Sequence, residues 1–276
     1  MKKLIVLTLL LPVVYSNAQD SYLSLSGGYG IGMPGNDGVE IVEYSDGKRV
    51  ETLKHVNFGS GLNVDLAHGS PLGKSAHFEL AVGYQNNMGS TLENTYYVEE
   101  RNSANQLVEK VENSIRTINS SSFRFAPGFR FMAGEGNVRG FAKVAPQLIV
   151  AKVSSDFEFM SDDLNIVSAE EYSRAASFGF MAALGCERDI SNKLVIFGSV
   201  NASLGYYSPN EWKLVKYEYN GEDVLDKIAL RDKQTYYSKE IEGNGSGTNP
   251  EQATRQLKTR MDYSSIALNI GVRFLL

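Results

Sequence analysis

The 276-residue sequence predicts an all-β fold: an eight-stranded antiparallel transmembrane up-and-down β-barrel with long extracellular loops and short periplasmic turns. Three observations predict it. Eight segments alternate apolar with small or polar residues at a period of two, which suits strands buried on one face and scatters around a helix. The links joining them alternate strictly between short and long. Finally, the apolar face carries no charge in any segment, whereas the opposite face is mostly Gly, Ala and Ser.

Taken in order, the chain begins with Lys2 and Lys3, an apolar run from Leu4 to Val14, and the small-any-small triplet Ser16, Asn17, Ala18. This is expected to be a secretory signal peptide covering residues 1–18, its apolar run far short of the roughly 20 residues a spanning helix needs. Residues 19–276 then form a single barrel domain. Losing Lys2 and Lys3 takes the formal charge from -5 to -7, which excludes nucleic acid as a partner class. The one cysteine, Cys186, excludes an internal disulfide. No later stretch offers 18 consecutive apolar residues, so a membrane-spanning form of this chain has to be a closed barrel.

The eight segments follow. Residues 22–33 set Leu23, Leu25, Tyr29 and Ile31 against Ser24, Ser26 and Gly28. Residues 58–68 set Leu62, Val64 and Leu66 against Gly61, Asn63 and Asp65. Residues 76–85 set Phe78, Leu80, Val82 and Tyr84 against His77, Glu79 and Ala81. The clearest, 122–132, puts Phe123, Phe125, Pro127, Phe129 and Phe131 opposite Arg124, Ala126, Gly128 and Arg130. Residues 141–153 set Val144, Pro146, Leu148 and Val150 against Lys143, Ala145 and Gln147. Residues 173–187 set Phe178, Phe180 and Leu184 against Ser177, Gly179 and Gly185. Residues 194–207 set Ile196, Val200, Leu204 and Tyr206 against Ser199, Asn201 and Ser203. The last segment, from 265, sets Ile266, Leu268, Ile270, Val272, Phe274 and Leu276 against Ala267, Asn269, Gly271 and Arg273. Pro127 and Pro146 each remove a ladder donor, and a local bulge is the expected remedy.

Short links at 69–75, 133–138 and 188–193 alternate with long ones at 34–57, 86–121, 154–172 and 208–262. That places both termini and the short turns on the periplasmic side. A secreted soluble barrel of the lipocalin kind is the structural rival, but its outward polar face would carry long charged side chains in place of Gly, Ala and Ser.

Eight strands enclose a space just wide enough for side chains to fill. The inward set includes Asp65, Glu79, Glu187, Arg124, Arg130, Lys143 and Arg273. These three acids and four bases are expected to pair as a lumen polar network, since an unpaired buried charge costs several kcal/mol. The alternative is a narrow path whose selectivity those charges set.

No motif points to catalysis, a cofactor or a metal. Gly30 to Gly35 fits G-x-G-x-x-G, yet a turn at Asn36, Asp37 and Gly38 follows where a dinucleotide site needs a helix. His55, His68 and His77 are scattered. The six acids Asp156, Glu158, Asp162, Asp163, Glu170 and Glu171 match no calcium loop and read as a solvated surface. The long loops carry strand patterns instead: 39–56 around a turn at Asp46 and Gly47, 96–100 facing 107–111, and 212–219 leading into Asn220 and Gly221. Strands are therefore expected to continue past the membrane as a raised sheet with a pairable edge. Residues 243–250 are expected to be mobile.

The final residues Asn269, Gly271, Phe274 and Leu276 carry a polar, Gly, apolar, apolar ending that resembles the signal the barrel-assembly machinery reads in outer-membrane proteins. With the topology, they make the chain resemble the small outer-membrane β-barrel family that includes the outer-membrane protein A barrel and outer-membrane protein X. The resemblance implies a Gram-negative outer-membrane location, outer-membrane lipid and lipopolysaccharide as surroundings, and assembly by that machinery. Members serve envelope structure, adhesion, solute passage or lipid modification, so it selects no single role. This chain departs from the family in its larger loops. The expected function is a monomeric, non-enzymatic surface protein whose loops and raised strands dock an extracellular partner, the alternative being a narrow porin-like channel for small or apolar solutes.

Overall fold

The computed structural model describes residues 21–33, 38–45, 48–101, 107–240 and 249–276. The leader expected over residues 1–18 and most of the glycine-rich stretch 243–250 lie outside the described residues. The described residues form fifteen strands: β1 (Tyr22–Gly32), β2 (Gly38–Ser45), β3 (Lys48–His55), β4 (Gly61–Pro71), β5 (Ala76–Arg101), β6 (Leu107–Ala133), β7 (Val138–Met160), β8 (Asn165–Ser191), β9 (Leu194–Tyr207), β10 (Glu211–Tyr219), β11 (Glu222–Asp223), β12 (Gln234–Ser238), β13 (Thr254–Leu257), β14 (Met261–Asp262) and β15 (Ser265–Leu275). Among the described residues no helix is long and apolar enough to cross a membrane.

Eight of these strands close the expected antiparallel barrel, in the order β1, β4, β5, β6, β7, β8, β9 and β15. Closure comes from β15, which pairs with β9 on one side and β1 on the other. The alternation sorts the faces as the sequence predicts. Phe123, Phe125, Phe129, Phe131, Leu268, Ile270 and Phe274 stand exposed outside, while Ser24, Asn63, Glu79, Arg130 and Asn269 are buried inside. The tight connections β4–β5, β6–β7 and β8–β9 share one end with the C-terminus, here the turn end; the opposite end is the loop end.

The wall is uneven. β1, β4 and β15 have 11 residues each, whereas β5 to β8 have between 23 and 27. The tall strands form the expected raised sheet, with the 96–100 and 107–111 stretches facing each other in register. β10 continues the line of β9 along the upper edge of β8, and β12 and β13 extend the sheet further. The two other predicted hairpins are present. β2 and β3 pair across Ser45 and Lys48. β10 and β11 turn at Asn220 and Gly221, whose φ angles of 50° and 82° are what a two-residue primed turn requires.

Three local expectations need correction. First, Pro127 and Pro146 do not sit on bulges. The β6–β7 register is the same at Phe125↔Leu148 and Phe129↔Val144, so the two prolines face each other. The ladder lapses only at the rungs between, while β5–β6 and β7–β8 stay continuous through Leu80↔Pro127 and Pro146↔Phe180. Both missing donors therefore fall on one shared rung, and two bonds are lost without a register change. Second, Phe58 does not start the second strand: β4 begins at Gly61, whose φ of 117° turns the chain and lets Phe58 fold inward. Third, 86–121 is mostly strand. A bulge between Asn87 and Ser90, with Gly89 at φ 86°, exchanges the faces of β5, so Leu92 points in where Leu80 and Val82 point out.

Candidate functional site

All seven predicted lumen residues line the barrel interior, and they pair in two groups. Near mid-barrel Arg124 Nη2 donates to Asp65 Oδ1 at 3.1 Å, and Asn269 Nδ2 donates to Asn63 Oδ1 at 2.8 Å. Gly83 makes room for the ion pair, because a Cβ there would meet the Asp65 carboxylate.

Toward the turn end the pairing is denser. Glu187 is a hub: Arg273 Nη1 lies 2.7 Å and Arg130 Nη2 2.8 Å from its Oε2, and Arg139 Nη2 3.1 Å from Oε1. Glu79 takes Lys143 and the Tyr22 hydroxyl, which donates at 2.8 Å, with Arg130 Nη1 at 3.8 Å. The Arg130 guanidinium also lies 3.5 Å from the Phe141 ring centroid, and that of Arg273 4.3 Å from Tyr22. Glu79, Arg130, Glu187 and Arg273 are only 2–3% exposed, so the cluster stoppers this end of the lumen. Opposite charges held this closely away from water attract strongly, and the ring contacts shield the guanidinium faces.

Three members of the stopper were not foreseen: Tyr22, Arg139 and Asp189, which sits 2.6 Å from Arg139 Nη2. Parity was the available signal for the first two. Tyr22 shares its face with Ser24, and Arg139 shares its face with Lys143. Asp189 lies in a stretch read as a link, where alternation was not counted.

The loop end is closed differently. Val56, Phe58, Leu92, Ile149, Val153, Tyr207 and Tyr263 form a buried apolar lid. Phe58 stacks on Tyr263 at 5.7 Å between centroids, and Tyr207 meets Tyr263 edge-on at 6.0 Å. Asn57 pins the lid in place. Its amide donates to the carbonyls of Met33 and Ser264, and its carbonyl oxygen accepts the Gly59 N–H at 2.6 Å. Between lid and stopper remains a cavity of about 40 Å³ beside Asp65, Arg124, Lys143 and Gln147, room for a few waters at most.

Above the lid the acidic stretch does not gather into one site. Asp156 and Glu158 lie on β7, Asp162 and Asp163 in the following turn, and Glu170 and Glu171 on β8. Lys152 Nζ donates to Glu171 at 2.8 Å, and Trp212 Nε1 donates to Glu170 at 3.3 Å. The Tyr172 hydroxyl also donates to Glu170, and burial followed by that neighbouring carboxylate holds it well above the usual phenol range. Among the described residues no group of three His, Cys, Asp or Glu is placed to hold a metal ion. His77 packs on the Tyr22 ring at 5.4 Å, while the side chain of His55 lies outside the described residues.

The four residues of the predicted assembly signal divide by face. Asn269 and Gly271 point inward, Gly271 because a Cβ would strike the Phe197 ring and the Leu25 carbonyl. Phe274 and Leu276 are 48% and 66% exposed on the outside.

No protein-family model matches the chain, and no curated protein matches it.

Proposed function

We propose that the chain is an integral outer-membrane barrel, monomeric and non-enzymatic, that works through its raised sheet by docking a partner outside the cell. The observation that carries this reading is the contrast between a filled lumen and a raised wall. The lumen holds ion pairs and an apolar lid where a pore would need free cross-section. The tall strands run more than twice the length of the short ones, and the raised sheet continues from β8 through β10 and β12 to β13, its terminal strand among the described residues. A strand at a sheet edge offers backbone donors and acceptors to an extended segment of another protein.

Membrane insertion is supported by the outward belt. Phe178, Phe180, Leu184, Leu268 and Ile270 are 68–78% exposed. Each side chain of this size gains roughly 1.5–3 kcal/mol by leaving water, and soluble monomers rarely show so broad an apolar surface. The resemblance to small outer-membrane barrels supplies the direction: turn end periplasmic, loop end extracellular.

Topology is tested by cysteine labelling in a Cys186→Ser background. Asn220→Cys should react with a membrane-impermeant maleimide on intact cells, and Gly136→Cys only after the outer membrane is broken; the reverse pattern contradicts the orientation. Deleting residues 212–258 should abolish partner binding and leave a folded barrel, whereas binding that survives the deletion contradicts docking through this part of the sheet.

The second reading is a narrow channel for small or apolar solutes. The polar cavity beside Asp65, Arg124 and Lys143 favours it, and conduction requires both the Glu187 stopper and the Phe58–Tyr263 lid to move.

A further inference from the structure

We propose that a cleft on the outer wall, where β8, β9 and β14 meet at the loop end, binds a phosphorylated lipid of the outer leaflet. Arg260 takes the phosphate, and one acyl chain lies along Phe178, Phe180 and Leu204. This rests on the outer-membrane reading above and names a ligand site within it.

The cleft has a volume of about 440 Å³, inside the roughly 300–1,000 Å³ range of ligand pockets. It arises from a step in side-chain size. Phe180 pairs with Leu204, and Tyr206 with Asp262, so large outward side chains on β8 and β9 adjoin the smaller Asp262 of β14 and Ser264 just beyond it. Phe178 and Phe180 stand 78% and 69% exposed, and the cleft runs between them and that lower neighbour. Most of its wall is apolar, which suits a hydrocarbon chain, and a free anion would gain nothing from that wall.

Its cation is Arg260, whose guanidinium carbon sits 4.7 Å from the Tyr206 ring centroid. The ring holds the cation at the rim of the apolar belt, and among the described residues no carboxylate forms an ion pair with it. Asp262, the acid in the cleft, accepts the Ser264 N–H at 2.7 Å through Oδ1 and so keeps its carboxylate against the backbone. Residues 254–260 carry Arg255, Lys258 and Arg260 with no acid, in a chain whose formal charge is -5. A planar guanidinium with its N–H groups free matches phosphate oxygens in pairs. A cation at the boundary of an apolar cleft therefore fits a ligand that is anionic at one end and hydrocarbon at the other.

The test is native mass spectrometry of the full mature chain, refolded in detergent, with diphosphorylated lipid A, the same lipid after phosphatase treatment, and inorganic phosphate. The intact lipid should bind at least tenfold more tightly than the dephosphorylated one, and inorganic phosphate should not compete. Arg260→Gln should weaken binding about tenfold, as expected for losing one charge-assisted contact, while Phe180→Ala should weaken both lipid forms alike. Equal binding to wild type and Arg260→Gln overturns the site, and so does inorganic phosphate displacing the lipid. Insertion of the same preparations into lipid vesicles is measured in parallel. A wild-type chain that folds but does not insert overturns the outer-membrane reading and the proposal with it; insertion with binding indifferent to Arg260 overturns the proposal alone.

Discussion

At the residue scale, Glu187 is the shared counter-charge of the stopper, because three guanidinium groups converge on one carboxylate that is 2% exposed. Glu187→Gln leaves Arg130, Arg139 and Arg273 without their shared counter-charge. The expected loss is about 3–5 kcal/mol, the range for breaking a buried pair, read from urea unfolding in lipid vesicles. Arg139→Ala should cost under about 1 kcal/mol, since its side chain is 32% exposed and its pairing is screened. A Glu187→Gln variant as stable as wild type would show that the stopper does not hold the barrel together. The seven charges were legible in the sequence because each interrupts a row of small residues at fixed parity. Their partners were not all legible: Arg139 keeps the parity of Lys143 but lies just outside the stretch read as strand, and Asp189 lies in a stretch read as a link, where alternation was not counted. Phe58 was misread for a related reason, since Gly61 resets the parity between it and Leu62.

At the scale of the element, the facing prolines are the least regular part of the wall. Each residue alone looked like a bulge, and only their shared register shows that one rung lost both bonds. Pro127→Val restores one donor to that rung, and the Pro127→Val, Pro146→Val double variant restores both. Each restored bond should add roughly 1 kcal/mol in the unfolding measurement, with the double variant close to the sum; unchanged or lower stability would mean that the carbonyls already have other partners. The terminal strand β15 is the other element with a separable prediction. Phe274 is outward and exposed, so Phe274→Ala removes little internal packing. It should nonetheless reduce assembly into the membrane in cells, and undiminished insertion would contradict the reading of residues 269–276 as an assembly signal. The eight wall strands were legible where the alternation is unbroken, because each wall residue there reports its own face. The length of β5 to β8 was legible only as strand-like patterns within the loops, since bulges such as that at Gly89 break the alternation.

At the scale of the whole molecule, the barrel reads as a filled cylinder with one wall raised above a closed mouth. The eight-strand count and the order of short and long links followed from the sequence, because an up-and-down barrel makes chain order and spatial order the same. The lid did not follow. It is built by residues from several strands and by Phe58 and Tyr263, which lie between strands, and no periodicity marks such a meeting. The central claim is that this closure is the resting state and that function resides on the raised sheet. The measurement that tests it most directly is single-channel conductance of the refolded protein in planar bilayers, beside a variant lacking residues 212–258. The account predicts silence from both, with insertion verified independently. Reproducible ion-selective steps from the wild-type barrel, altered by Arg124→Ala or Glu79→Gln, would contradict it and establish the lumen as a path.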